Sequence, residues 1–131
     1  MTLLVDVCAL ADLDPERGVG ALLGDRQVAL FRLADDTVRA VQQRDPYSGA
    51  NVMARGLVGT TRVTGDDGEE RDVPTVTTPM LKQVWSLDTG AVIDSGGKPK
   101  QPLAVFAAQV RDGRVLVADT PTELAEGEAS A

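Results

Sequence analysis

The sequence predicts an all-β fold, in the form of a small antiparallel sandwich or barrel. Short apolar runs alternate with turn-forming residues along most of the chain. No segment carries the long apolar stripe of an amphipathic helix. Aromatic residues make up only 3% of the 131 residues, so the core must consist mainly of Val, Leu and Ala. The length suits a single domain with one hydrophobic core.

The N-terminal third predicts four strands separated by polar turns. The turns are marked by Gly24-Asp25-Arg26 and Asp35-Asp36, and a longer turn region covers residues 12–18. Strands are predicted over residues 3–8, 19–23, 27–33 and 37–42. In the third strand, one face carries Ala29, Phe31 and Leu33, and the other carries Val28, Leu30 and Arg32.

The C-terminal part carries the strongest hairpin signal, Asp112-Gly113 between strands predicted over residues 103–111 and 114–118. Residues 65–72 and 95–102 are rich in Gly, Pro and charge, and we predict exposed loops there. The domain is predicted to cover residues 1–119. Residues 120–131 are predicted to form a flexible tail, with a weak helix signal at 123–125.

The composition excludes several classes of partner. The net charge of −7 argues against nucleic acid and against an anionic membrane, because both attract basic surfaces. No apolar run reaches the roughly 18 residues that a transmembrane helix needs. The N-terminus has no basic region before its apolar residues, so it does not resemble a signal peptide. We therefore expect a cytoplasmic protein.

The chain lacks histidine and has one cysteine, Cys8. An internal disulfide is impossible with one cysteine, and zinc or iron–sulfur sites built from Cys and His are excluded within the chain. Ser48 and Ser86 have no histidine to activate them, which excludes a hydrolase triad. The residues therefore give no catalytic site, and the chain is not expected to be catalytic by itself.

The remaining candidates favour structural interpretations. Cys8 lies in a predicted strand, where a buried small residue is expected more often than a reactive thiol. The pairs Asp35-Asp36 and Asp66-Asp67 lie in predicted turns, where Asp hydrogen-bonds its own backbone. The glycines of residues 17–20 lack the spacing and following helix of a phosphate-binding loop.

Two segments carry more information together than either does alone. Residues 45–52 (DPYSGANV) would be an ordinary turn in isolation. Residues 78–90 (TPMLKQVWSLDTG) place the only tryptophan on a short strand between two turns. As a pair they resemble the two ligand boxes of a Rieske domain, whose two loops lie at one tip of the fold. The four positions that match the Cys and His ligands hold Asp45, Tyr47, Thr78 and Leu81.

A Rieske [2Fe–2S] centre requires two thiolates and two imidazoles. Neither group is present at the four matching positions, and Leu81 offers no donor atom. The resemblance therefore implies a Rieske-like fold without an iron–sulfur cluster, and it nearly excludes a working Rieske ferredoxin.

The chain is similar over about residues 5–117 to the small subunit of assimilatory NAD(P)H-dependent nitrite reductase, the NirD type. Residues 64–72 and the tail are longer than this family leads us to expect. The similarity rests on PERG (15–18), QVALFR (27–32), RDPYSGANV (44–52), RGLVG (55–59) and SLDTG (86–90).

The family resemblance implies a partner rather than a reaction. The large subunit would carry FAD, a [4Fe–4S] cluster and sirohaem, and would pass electrons from NAD(P)H to nitrite, giving ammonia in nitrate assimilation. This chain would carry no cofactor or metal and would support that large subunit. The alternative is a stand-alone β-sandwich module that binds a small ligand or peptide, although such a site usually needs more aromatic residues.

The tip that the two loops would form is the expected interface. Tyr47 offers a large amphipathic contact, and the basic residues Arg44, Arg55 and Lys82 would surround it. Ser48 and Gln83 complete the expected contact set. Internal packing that holds the loop together explains Tyr47 equally well at this point.

Overall fold

A computed structural model describes residues 3–80 and 82–122 and confirms the all-β prediction. No α-helix occurs in these two ranges, although short 3-10 turns cover Leu10–Asp12 and Met53–Arg55. The strands are β1 (Leu4–Ala9), β2 (Gly18–Leu23), β3 (Arg26–Arg32), β4 (Val38–Gln42), β5 (Leu57–Thr64), β6 (Glu70–Thr77), β7 (Val84–Ser86), β8 (Val92–Asp94), β9 (Val105–Phe106), β10 (Ala108–Arg111) and β11 (Arg114–Ala118).

The strands form three antiparallel sheets. The first has the order β1-β11-β10, the second β2-β3-β4-β9, and the third β5-β6-β7-β8. The second sheet lies between the other two, because its residues contribute to two separate hydrophobic clusters. The expectation of one core is therefore replaced by two clusters on opposite faces of a central sheet.

The alternation predicted for β3 explains how this sheet serves both clusters. Ala29 and Phe31 pack with Trp85 and other residues of the third sheet. Val28 and Leu30 point the other way and join the cluster that contains side chains of the first sheet. Successive side chains of a strand point to opposite faces, so one strand with apolar residues on both faces supports two cores.

The predicted hairpins are confirmed at both ends of the chain. Leu23 pairs with Arg26 around Gly24-Asp25, and Arg111 pairs with Arg114 around the second turn. In that second turn Asp112 has φ 52° and Gly113 has φ 76°. Positive φ at both central residues is the geometry of a type I′ hairpin turn, for which Asp-Gly is a favoured sequence.

Two predicted boundaries were wrong. The strand predicted over residues 103–111 is divided at Ala107: β9 pairs with β4, whereas β10 pairs with β11 in a different sheet. The loop predicted over residues 65–72 is shorter, because Glu70 already pairs with Thr64 in the long β5–β6 hairpin. The polar residues at the start of β6 are exposed, so they form a strand without an apolar pattern.

The described fold continues slightly past residue 119, where the sequence predicted the domain to end. The amide of Asp119 donates to the Leu3 carbonyl (2.9 Å), and the amide of Thr122 donates to the Val105 carbonyl (2.7 Å). The helix signal at 123–125 and the rest of the predicted tail lie outside the described residues. Among the described residues, no helix has the length and hydropathy to cross a membrane.

Candidate functional site at the loop tip

Three loops meet at one end of the second and third sheets, and together we call them the tip: residues 44–56, 78–83 and 95–102. The first contains residues 45–52, and the second is the beginning of the segment 78–90. The first connects β4 to β5, the second connects β6 to β7, and the third connects β8 to β9. The fold thus places the two sequence segments side by side and adds a loop that sequence reasoning did not assign to the site.

Asp45 organises the first loop. Its side chain is fully buried, and its Oδ1 atom accepts hydrogen bonds from the amides of Tyr47 (2.9 Å) and Ser48 (3.4 Å). Its own amide donates to the Ala50 carbonyl, and its carbonyl accepts from the Gly49 amide. The Oδ2 atom is buried and has no hydrogen-bond partner among the described residues. At the position of the first cysteine ligand, this carboxylate therefore closes the loop on itself.

Thr78 and Gln83 close the second loop in a similar way. The Thr78 amide donates to the Gln83 carbonyl (2.9 Å), and the Thr78 hydroxyl lies 3.4 Å from Gln83 Oε1. Both residues are only 1% exposed. The expectation that Gln83 is a free contact residue was therefore wrong, because its side chain is used inside the loop. Leu81, the fourth ligand position, lies outside the described residues.

Tyr47 and Trp85 connect the third loop to the first loop and to β7, the strand that follows the second loop. Their ring centroids are 5.6 Å apart, and Trp85 is fully buried. The Tyr47 hydroxyl donates to the Pro99 carbonyl (2.8 Å) and accepts from the Gln101 amide (3.0 Å). Trp85 Nε1 donates to the Gln101 carbonyl (2.9 Å). Internal packing, the alternative interpretation of Tyr47, is what the structure shows.

The residues of the tip do not fit a Rieske cluster. Asp45 and Thr78 are buried and hydrogen-bonded within their own loops, and the Tyr47 hydroxyl is bonded to the third loop. The chain contains no histidine. Its one cysteine, Cys8, lies on β1 in the first sheet rather than at the tip. No thiolate or imidazole is therefore available to hold the irons.

Cys8 also has the character of a structural residue. It is half-buried, and this burial, with a smaller contribution from the nearby Asp12 carboxylate, raises the pKa of the thiol. A raised pKa leaves less of the reactive thiolate at neutral pH. The prediction of an unreactive strand cysteine is consistent with this environment.

The Asp35-Asp36 pair is a turn, as predicted. Asp35 Oδ1 accepts from the Thr37 hydroxyl (2.6 Å) and amide (3.0 Å), and these hydrogen bonds lower the pKa of Asp35. Asp36 pairs with Arg32 across 2.8 Å. Among the described residues no three His, Cys, Asp or Glu side chains are placed to hold a metal ion.

The basic residues expected at the tip are exposed there. Arg44 and Ser48 lie on the first loop, Arg55 lies in the 3-10 turn near the end of that loop, and Lys82 lies on the second loop with φ 60°. None of the three cations forms a salt bridge among residues 3–80 and 82–122. Unlike the buried Gln83, these side chains are available to another molecule.

The fold and the tip define a Rieske-like domain in which the ligand positions have been replaced. The family model described as "Rieske-like [2Fe-2S] domain" matches residues 4–118. Within that class, the chain belongs to the family of nitrite reductase small subunits. It is 34% identical over 111 residues to the nitrite reductase (NADH) small subunit of Escherichia coli K12, covering 84% of this chain and 92% of that protein.

Two further comparisons extend this assignment. A solved Mycobacterium tuberculosis structure, provisionally assigned as an NADH-dependent nitrite reductase small subunit, is 42% identical. The match covers 90% of this chain and 96% of that one, with a TM-score of 0.73. The nitrite reductase [NAD(P)H] large subunit of Klebsiella oxytoca is 38% identical over 124 residues, which is 95% of this chain but only 12% of that protein.

Proposed function

We propose that this chain is the non-catalytic small subunit of an assimilatory nitrite reductase and that it supports a catalytic large subunit. The observation that carries the proposal is the tip itself. Hydrogen bonds close its first two loops and connect the first loop to the third, although the ligand positions hold Asp45, Tyr47 and Thr78. A surface that keeps its shape without cluster ligands is better suited to contact than to electron transfer.

The Klebsiella relative supports the identity of the partner. In that protein a segment similar to nearly all of this chain forms part of a large subunit. Two domains found within one polypeptide in one organism and on separate chains in another are expected to associate in both. The partner proposed for this chain is therefore a nitrite reductase large subunit.

The redox chemistry belongs to the partner in this proposal. We assign FAD, a [4Fe–4S] cluster and sirohaem to the large subunit, together with electron transfer from NAD(P)H to nitrite to give ammonia. The small subunit supplies contacts that stabilise or complete that catalytic chain. We place the complex in the cytoplasm, where the nicotinamide cofactor is available.

Co-expression with the large subunit tests this function. We expect the two chains to co-purify and the nitrite-reducing activity or stability of the large subunit to fall when this chain is left out. A matched preparation of the large subunit alone, loaded with its cofactors to the same level, is the control. Unchanged activity and stability, with no co-purification, would contradict the proposal.

A further inference from the structure

We propose that the tip docks on an acidic surface of the large subunit that surrounds an apolar contact. This inference rests on the proposed function and adds the chemistry of the partner surface. The tip concentrates positive charge on an acidic protein. Five of the 13 basic residues but only one of the 20 acidic residues lie in its three loops. The five basic residues are Arg44, Arg55, Lys82, Lys98 and Lys100.

The single acidic residue of the tip, Asp45, does not lie on its surface. Asp45 is fully buried and directed into its own loop, whereas all five cations are exposed. The nearest flanking acid in the sequence, Asp94, ends β8 and accepts a hydrogen bond from the Gly96 amide (2.9 Å). The exposed face of the tip is therefore basic.

Four of the eight basic residues outside the tip form salt bridges among the described residues, whereas none of the five tip cations does. Arg32, Arg39 and Arg114 each form an ion pair with an aspartate, at 2.7 to 2.8 Å. Arg62 pairs with Glu70 and Asp72 in the β5–β6 hairpin. Within residues 3–80 and 82–122, none of the five tip cations has a salt bridge. A carboxylate supplied by another protein would pair with them without breaking an internal contact.

Apolar side chains lie beside these cations. Leu57 is 75% exposed and Met80 is 55% exposed, although both are large hydrophobic residues. Leu57 pairs with Thr77 at the end of β6, and Met80 follows three residues later in the second loop. Exposed apolar side chains with basic residues around them are typical of a contact patch in which the centre is apolar and the rim is charged.

The bracing of the tip favours rigid docking. Tyr47 on the first loop and Trp85 on β7 hold the third loop through their ring contact and three hydrogen bonds to residues 99 and 101. Loops that are already fixed lose less conformational entropy on binding than mobile loops do. Outside the tip the chain has 19 acidic and eight basic residues, so an acidic partner would be attracted to the tip more than to the rest of the protein. Such a charge distribution orients the encounter and speeds association.

The experiment measures binding of the full chain to the cofactor-loaded large subunit by surface plasmon resonance. Lys82→Glu with Lys98→Glu reverses two tip cations. Arg71→Glu with Arg111→Glu is the control, because it makes the same charge change on exposed residues that lie outside the tip and lack salt bridges among the described residues. We expect the tip variant to lose about tenfold or more in association rate at low salt, and the control to change by less than about threefold. The difference should shrink as salt screens the charges.

A second pair of variants tests the apolar part. Leu57→Ser with Met80→Ser should speed dissociation of the complex, since most effects of contact residues appear in the dissociation rate. Leu22→Ser is the control, because Leu22 is 65% exposed on β2, outside the tip. Equal dissociation rates for the tip variant, the control and the wild type would contradict an apolar centre at the tip.

The outcomes separate the two proposals. Failure of the wild-type chain to bind the large subunit would overturn the proposed function, and this inference with it. Wild-type binding that both charge variants retain equally would overturn this inference alone. A short DNA duplex is measured as well, because a basic tip could also attract a nucleic acid. Tip-dependent binding of the duplex, without tip-dependent binding of the large subunit, would show that the occupant is not an acidic protein.

Discussion

At the scale of single residues, Tyr47 occupies a ligand position but forms hydrogen bonds to the third loop instead. Its hydroxyl holds residues 99 and 101, while its ring packs on Trp85. Tyr47→Phe keeps the ring and removes both hydrogen bonds. We expect it to lower the free energy of unfolding by about 1–2 kcal/mol, the contribution of one or two partly exposed hydrogen bonds.

Urea denaturation measures this change. The control is Thr64→Val, which removes an exposed hydroxyl of β5 that makes no hydrogen bond among the described residues and should cost less than about 0.5 kcal/mol. If Tyr47→Phe is as stable as the control variant, the hydrogen bonds of the Tyr47 hydroxyl do not hold the third loop in place.

Asp45 gives a second prediction at this scale. Asp45→Ala removes the acceptor of two loop amides, and a buried amide left without a partner costs about 1–3 kcal/mol. Asp45→Asn keeps an acceptor oxygen at the Oδ1 position and removes the charge near the unpartnered Oδ2 atom. We therefore expect the Asn variant to retain clearly more stability than the Ala variant in the same denaturation assay. Equal losses would show that the carboxylate charge itself is required.

The sequence predicted some of these residue roles and missed others. The spacing of the two boxes predicts which positions correspond to the cluster ligands, because motif spacing is retained when side chains change. The burial of Gln83 was missed because an isolated glutamine is usually exposed. Only the three-dimensional loop brings it onto Thr78, five residues earlier. Lys98 and Lys100 were missed because their loop has no ligand motif and reaches the tip only through tertiary contacts.

At the scale of elements, the turn after β7 depends on close backbone packing at Gly90. Its φ is 79°, and a Cβ atom there would clash with the Leu103 carbonyl oxygen and lie 2.9 Å from Val105 Cγ2. Gly90→Ala thus combines a left-handed backbone with overpacking, since β9 and the segment before it cannot move away easily. We expect Gly90→Ala to lower thermal stability strongly.

Gly97→Ala is a matched control for that variant. Gly97 has φ 85°, but a Cβ atom there would meet nothing within 4 Å. The left-handed conformation alone costs about 1–2 kcal/mol for a residue with a side chain. Overpacking should add about 1–3 kcal/mol at Gly90. Equal melting temperatures for the two variants would show that the segment around Leu103 yields to the extra methyl group.

Buried strands were easier to predict than exposed ones. Strand β3 was clear in the sequence because both of its faces are buried and apolar, which gives a continuous apolar run. The β5–β6 hairpin was not predicted beyond its loop, because β5 has no buried residue, β6 begins with three exposed polar residues, and the two strands carry five threonines. The division of the predicted strand at Ala107 could not be predicted, because the residues around it form one apolar run. The chain crosses there from one sheet to the next, and that choice depends on tertiary packing rather than local pattern.

At the scale of the whole molecule, the total charge conceals the distribution that matters. The net charge of −7 gives no sign of the basic tip. The family resemblance predicted three of its five cations, Arg44, Arg55 and Lys82, and the fold adds Lys98 and Lys100. The family assignment, in contrast, was predictable from sequence because the motifs that match the family are spread through nearly the whole domain. The flexible tail stays a prediction.

We expect this Rieske-like tip, which is held together by its own side chains, to bind no iron–sulfur cluster. The most direct test purifies the full chain anaerobically, incubates it with iron and sulfide, and measures bound iron, bound sulfide and the visible spectrum after desalting. The replaced ligand positions predict background levels of both elements and no cluster absorption. About two irons and two sulfides per chain, with the spectrum of a [2Fe–2S] centre, would contradict the account.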